Sequence, residues 1–403
     1  MSKPRLLLRP AGRSFLPSVD AVVAHERPVE PLVCLRPAVI AGASRCFVAA
    51  FPGDVLYAVK CNPEPRVLRA VWAGGVRHFD CASLPEIALL REVLPEAELH
   101  FMHPVKARHA IHAAFHDHYV TDFAFDSADE LEKILQETVP VGLVGEPPTL
   151  GLFLRLAVSQ GGAYDLSGKF GATAEEAAGL LRAARPHAAR LGIAFHVGSQ
   201  CLDPAAYRKA LQAAGEVASR SGVAIDIIDV GGGFPVSYPD VVPPPLDDYV
   251  AAIGEAAEAW FDDGVRLWAE PGRALVAAGG SLVVQVELRR GEALYVNDGV
   301  YGSLSDAGRP GFRFPARRIR PDQMAGDDAP LQAFTLYGPT CDSADHMKGP
   351  FLLPADVDEG DWLELGQLGA YGACLRTRFN GFVAGSTIEV VDPPMLTTPG
   401  YDG

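Results

Sequence analysis

The chain has no apolar run long enough to span a bilayer, which removes a helical membrane protein from consideration. It has no basic surplus either. Its 35 Lys and Arg stand against 50 Asp and Glu, for a formal net charge of −15. Non-specific nucleic-acid binding needs a basic surface, so that class is excluded too. A small cationic partner suits the acidic balance. The cysteines are few, odd in number and scattered: Cys34, Cys46, Cys61, Cys81, Cys201, Cys341 and Cys374, with no CxxC pair. Such scatter predicts reduced thiols in a cytoplasmic protein, with neither a disulfide framework nor a metal site. The LLL run near the N-terminus is too short and too interrupted for a signal peptide. Internal repeats and low-complexity segments are also missing.

What is present is a rhythm. The chain has 403 residues, of which 48% are hydrophobic and 21% charged, enough for large cores in two or three domains. From about residue 54, short β-branched or aromatic runs alternate with Ala/Leu/Glu-rich stretches. Eight runs read as strands: Asp54–Val59, Val76–Asp80, Glu98–Met102, Tyr119–Phe125, Gly151–Ala157, Ile193–Gly198, Ile225–Val230 and Val265–Glu270. Capping-box spacing marks helix starts at Ser83 with Glu86, Ser127 with Glu130 and Thr173 with Glu176. The last opens ATAEEAAGLLRAARPHAARLG, a helix expected to lead into IAFHVGS. The pattern predicts an α/β fold, a (β/α)8 barrel over residues 31–275, with an open doubly wound sheet as the alternative. After Arg273 the helical stretches stop. SLVVQVELR, ALYVN, LQAFTLYG, DWLELG and STIEVV predict an antiparallel β-domain over residues 276–403, joined by residues 1–30. Val139–Leu150 and Pro235–Leu246 read as Pro-rich surface loops, and the tail from Asp392 as poorly ordered.

Barrel enzymes carry their chemistry at the C-terminal ends of strands. Here those ends hold Lys60, Asp80, Arg155, His196, the run Gly231, Gly232 and Gly233, and Glu270 followed by Arg273. A triple glycine lets backbone N–H groups approach a phosphate, and an arginine adds charge. A partly desolvated lysine can form an imine. A carboxylate can keep a pyridine nitrogen protonated, which makes the ring an electron sink. An imidazole can stack on that ring. Each feature alone has a plainer explanation: a turn, a snorkelling lysine, a core histidine, a structural ion pair. Their convergence at strand ends points to a pyridoxal-phosphate (PLP) site.

YAVKCN, FDCAS, LSGKFGA, FHVGS, DVGGGFP, AEPGR, YVNDGVYGS, GPTCDSAD, GAY and FNGF follow one another over about residues 54–382. As an ordered set they resemble the eukaryotic-type ornithine decarboxylase family, whose fold is alanine-racemase-like. The resemblance implies a PLP barrel plus a β-domain, in a head-to-tail homodimer with shared active sites. It implies that Lys60 forms the imine, His196 stacks on the ring and Glu270 pairs with its nitrogen. It assigns the phosphate to Ser199, Gly231, Gly232, Gly233, Arg273 and Tyr371, and places Asp80, Glu86 and Arg155 beside the cofactor. Glu86 ranks below the others, because it also serves as capping partner of Ser83. Across the interface, Cys341 would return a proton to the substrate carbon, and Asp342 would hold the distal ammonium. Tyr301 and Phe379 match pocket-lining positions.

The chain departs from the family after GVYGS. The usual segment runs on to an aromatic–Asp pair that binds the distal amine. Here it is short, and Ser305 precedes Asp306. Asp306 is the candidate second carboxylate, and a turn residue is the competing explanation. The short form resembles compact bacterial members. The expected reaction is decarboxylation of L-ornithine to putrescine, with lysine or arginine as alternatives. Diaminopimelate ranks lower, because Asp342 stands where that group usually has Glu. A racemase would not be expected to carry the Cys-Asp motif. A non-catalytic regulatory homologue would be expected to lose the imine lysine or the phosphate contacts, and this chain keeps them.

Overall fold

The computed structural model describes residues 17–138, 149–158, 162–164 (backbone only), 168–308, 311–322, 329–382 and 385–399. Eight parallel strands close into a barrel: Asp54–Ala58, His78–Cys81, Glu98–Phe101, Asp122–Phe125, Leu150–Arg155, Ala188–Ala194, Ile227–Asp229 and Arg266–Ala269. Each pairs with the next in sequence, and Trp268–Ala269 returns to pair with Asp54–Val55. All eight expected strands are present, and the open-sheet alternative falls. The sixth begins earlier than its apolar run. The helix Ala174–Ala184 ends before Pro186, and AARL is already strand, paired from Ala188 onward with the fifth strand. That strand ends at Ala194. A short strand, Ser199–Cys201, then pairs antiparallel with Gly162–Tyr164.

The helix starts follow the capping logic. Ser83, Ser127 and Thr173 each accept the N–H of the Glu three residues on. At Thr173 the Glu176 carboxylate also accepts the Thr173 N–H, so the box closes in both directions. Glu86 turns to the Ala82 N–H at 2.6 Å. Glu130 turns to Lys106, accepting its N–H and pairing with its ammonium at 2.9 Å.

The barrel interior is a packed core. Phe153 stacks on Trp268, ring centroids 4.7 Å apart, among Leu56, Met102, Ala124, Ala194 and Ile227. Phe153→Ala should destabilise the protein by about 3–5 kcal/mol, because the enclosing barrel cannot collapse onto the void. Chemical denaturation checks this. At the barrel floor a polar chain runs from His78 through His100 (3.0 Å) to Asp122 (2.7 Å), which Arg190 also binds at 2.5 Å. Burial opposes the charge on Asp122, but His100 and Arg190 prevail and hold its carboxyl below the usual range.

The β-domain sheet orders its strands as Ala316–Ile319, Trp362–Leu365, Gly280–Arg290, Ala293–Val296, Leu331–Tyr337 and His346–Pro354. It is mixed rather than antiparallel. Ala293–Tyr295 runs parallel to Thr335–Tyr337, and Val33–Leu35 parallel to Thr387–Glu389. The strand entering from the N-terminal side is Leu32–Leu35, inside the span expected to be barrel. It pairs with Gly280–Val283. The helix Val19–Glu26 packs Val19, Val22 and Val23 against this sheet beside Val283 and Trp362, while residues 1–16 lie outside the described residues.

One loop expectation falls almost wholly outside the described residues, and two others change. Of Val139–Leu150, residues 139–148 lie outside the described residues. The second loop carries Tyr238 into the core, 5% exposed. The tail from Asp392 is anchored as far as it is described. Asp392 accepts from Val19 N–H and from Arg36, and Thr398 accepts the Ala316 N–H. Among the described residues no helix is long and apolar enough to cross a membrane.

Candidate active site

Barrel geometry delivers the strand ends to one mouth. A cavity of about 560 Å³ there is lined by Lys60, Asp80, Arg155, His196, Ser199, Glu270, Arg273, Asp306 and Tyr371. A smaller inner niche adds Gly232, Gly233 and Phe234. Lys60 sits in a single 3-10 turn directly after the first barrel strand, and its Nζ donates to Asp80 Oδ2 at 2.6 Å. Burial works against the ammonium, but Asp80 and Glu270 outweigh it and raise the Lys60 pKa. The lysine is therefore charged at neutral pH.

His196 accepts the Gly198 N–H on Nδ1 at 2.9 Å, which leaves its proton on Nε2. Burial first, then the charges of Arg155 and Lys60, pushes its pKa well below the usual value, so the ring is neutral. The glycine run needs its composition. Gly231 and Gly233 have φ of 68° and 107°. A Cβ on Gly232 would lie 2.6 Å from the Glu270 carbonyl oxygen. Gly231 N–H is already bound to Asp229 Oδ1 at 2.8 Å. Gly231 thus shapes the turn, and Gly232 and Gly233 reach the niche.

Among the described residues, the cavity's buried Glu270 Oε1 faces no cation or donor of its own and its buried Arg273 Nε no acceptor, and the group the Glu270 side chain meets is another acid, Asp229. Burial raises the Glu270 carboxyl well above the usual range, and Asp229 and Asp80 raise it further against Lys60 and Arg155. A protonated ring nitrogen is the kind of partner such an oxygen lacks. A phosphate is the kind of partner Arg273 Nε lacks, beside a glycine cradle. The residues present therefore fit PLP.

Asp229 was not singled out in the sequence, although DVGGG contains it. It is fully buried, and its carboxyl is pushed up to about 6, chiefly by burial. Asp306, expected at a distal ammonium, instead pairs with Arg273 at 2.9 Å. Tyr238 accepts from the same guanidinium at 2.7 Å and was also missed, inside a Pro-rich loop.

Glu86 lies in the first turn of the barrel helix Leu84–Val93, outside the lining of the Lys60 cavity. Tyr301, Cys341, Asp342 and Phe379 do not line that cavity either; they form a separate patch on the β-domain. Tyr301 OH donates to the Asp342 carboxylate, and the Tyr301 and Phe379 rings lie 5.0 Å apart. Cys341 is exposed, with its N–H on Asn380 Oδ1 at 3.0 Å. Asp345 staples the two motifs that build the patch. It accepts from Val300 N–H at 2.8 Å and from Thr340 Oγ1 at 2.7 Å.

Comparison with known proteins points to the same cofactor. Residues 39–277 match the family model described as pyridoxal-dependent decarboxylase, pyridoxal binding domain. Over 352 residues the chain is 34% identical to the lysine/ornithine decarboxylase of Selenomonas ruminantium, covering 84% of each. Over 358 residues it is 32% identical to the ornithine decarboxylase of Schizosaccharomyces pombe, covering 84% of this chain and 78% of that one. Its fold superposes on the arginine decarboxylase of Paramecium bursaria Chlorella virus bound to agmatine with a TM-score of 0.80 and 28% identity, covering 92% of this chain and 98% of that one. The chain belongs to the pyridoxal-dependent decarboxylase family and is a PLP-dependent carboxy-lyase.

Proposed function

We propose that the chain converts L-ornithine to putrescine and CO2, as a cytoplasmic homodimer serving polyamine synthesis. One observation carries the reading: a lysine, an unpartnered buried carboxylate oxygen and a glycine–arginine cradle meet in one cavity. When bound, PLP supplies the electron sink that accepts the pair left as CO2 departs. Lys60 would hold the cofactor and Glu270 its ring nitrogen. Neutral His196 would lie on the ring face without competing for that charge. Ser199, Gly232, Gly233, Arg273 and Tyr371 would hold the phosphate around the turn that Gly231 shapes, with Asp80 and Arg155 alongside.

The separation of the two patches supports the dimer. Cys341 is exposed and Asp342 half-buried beside Phe379 and Phe382, which are 41% and 45% exposed. Such a surface is typical of an interface. Across a two-fold axis, Cys341 would hold the proton destined for the α-carbon, and Asp342, with Tyr301, the distal ammonium. All seven cysteines stand free, which supports a reducing compartment.

A longer substrate, lysine or arginine, is the second reading. It is favoured by the Asp306–Arg273 pair, which leaves Asp342 as the carboxylate for the distal end, and by relatives named for those substrates. Purified protein with PLP, given ornithine, lysine, arginine and diaminopimelate in parallel, separates the readings by product. Putrescine should dominate. Dominant cadaverine or agmatine would move the substrate assignment and leave the chemistry standing.

A further inference from the structure

Arg273 and Asp306 meet 33 residues apart, both nearly buried, with side chains 4% and 6% exposed. The guanidinium is held on every side. Its Nη1 donates to Tyr238 OH at 2.7 Å and its Nη2 to Asp306 Oδ2 at 2.9 Å. The rings of Tyr371 and Phe312 lie 5.0 and 5.1 Å from its Cζ. Only Nε lacks a partner, and Arg273 faces the niche that also holds Ser199, Gly232, Gly233 and Tyr371. A guanidinium is planar and its N–H directions are fixed relative to one another. Holding both Nη groups therefore aims Nε.

Asp306 is itself fixed by its loop. Asp298 accepts from Gly299 N–H at 2.8 Å and Ser303 N–H at 3.0 Å, setting the turn before the helical turn Ser305–Gly308. Phe312 N–H then closes on the Asp306 carbonyl at 2.9 Å. A substrate ammonium would have to draw Asp306 away from a buried cation. Breaking a buried pair on one side is costly, because the other charge is left uncompensated.

We propose that Asp306 is a positioning residue for Arg273: with Tyr238 it pins the guanidinium so that Nε meets the cofactor phosphate, and it does not bind the substrate's distal ammonium. This rests on the reading of the cavity as the PLP site. The short loop after GVYGS has thus exchanged a substrate contact for a cofactor contact, and Asp342 carries the recognition of the distal charge.

Titration of cofactor-free protein with PLP, followed by fluorescence, tests this together with KM for ornithine and lysine. Asp306→Ala should weaken PLP binding about tenfold, the scale of a lost charge-assisted hydrogen bond. It should have no further effect in an Arg273→Ala background. Asp306→Asn keeps an acceptor for Nη2, so PLP binding should return close to the wild-type level, and it keeps the proposal testable if the alanine variant folds poorly. The preference between ornithine and lysine should stay as in the wild type. Wild-type PLP binding in Asp306→Ala with a raised KM for ornithine would overturn the proposal alone. So would equal loss of PLP binding in the Ala and Asn variants. Wild-type protein that takes up no PLP would overturn the cofactor reading, and the proposal with it.

Discussion

Glu270→Gln should raise the melting temperature of the cofactor-free protein while lowering kcat by about 10²-fold or more, the scale of a lost charge-stabilising contact. The stability gain should grow with pH. An unfolded Glu ionises near its ordinary pKa of 4.5, whereas burial and the neighbouring Asp229 and Asp80 hold the folded group well above that. Below pH 4.5 both states are protonated and Glu270 costs nothing. As pH rises through 4.5 the unfolded chain ionises first, and folding loses up to about 1.4 kcal/mol per pH unit until the folded carboxyl also ionises. Glutamine never ionises, so the variant escapes this loss. Asp229 adds a loss of the same sign between 3.8 and about 6. Saturating PLP should erase the advantage of the variant, because a ring cation supplies the partner that Glu270 Oε1 lacks. Thermal melts at several pH values, with and without PLP, check this. A gain that is flat with pH would mean that Glu270 is ionised and paired in the cofactor-free protein.

Lys60→Ala and Cys341→Ala should each be almost inactive alone, and mixing them should restore about a quarter of wild-type activity. The two residues lie in separate patches of one chain. If each active site takes Lys60 from one copy and Cys341 from the other, a mixed dimer has one intact site and one doubly damaged site. Random exchange makes half the dimers mixed, and half the sites in those are intact. No recovery after verified subunit exchange would place Cys341 and Lys60 of the same chain in one site. The β-domain patch would then need another partner.

The barrel was legible because its strands are buried on both faces. VLYA, HFDC and DFAF are short runs rich in apolar and aromatic residues, the last two followed by helices capped at Ser83 and Ser127, and each closed into the barrel where its run lay. The sixth strand began in AARL, where Ala and Arg carry a helical signature and pairing with the fifth strand decides. ARRI hid its strand behind charge. Arg317 binds Asp20 and the buried Glu364, which alternation of apolar residues cannot reveal. HMKGPFLLP carries Gly and Pro inside a strand and reads as a loop, yet it pairs along its length with Leu331–Tyr337 around a register shift. At the site, residues with a fixed place on a strand end were found, since the barrel rule places them. Tyr238, Asp229 and the partner of Asp306 were not, because their meaning depends on contacts across 33 or more residues or on burial. The orphaned Glu270 oxygen is likewise a property of packing alone.

The most direct test of the account is to locate the cofactor. Purified protein loaded with PLP, reduced with borohydride and digested, should yield one peptide carrying the pyridoxyl mass, with the modification on Lys60. That result would fix the chemistry at the cavity shared by Glu270 and the glycine run. Modification at another lysine, such as Lys106 or Lys169, with Lys60 untouched, would contradict the central claim.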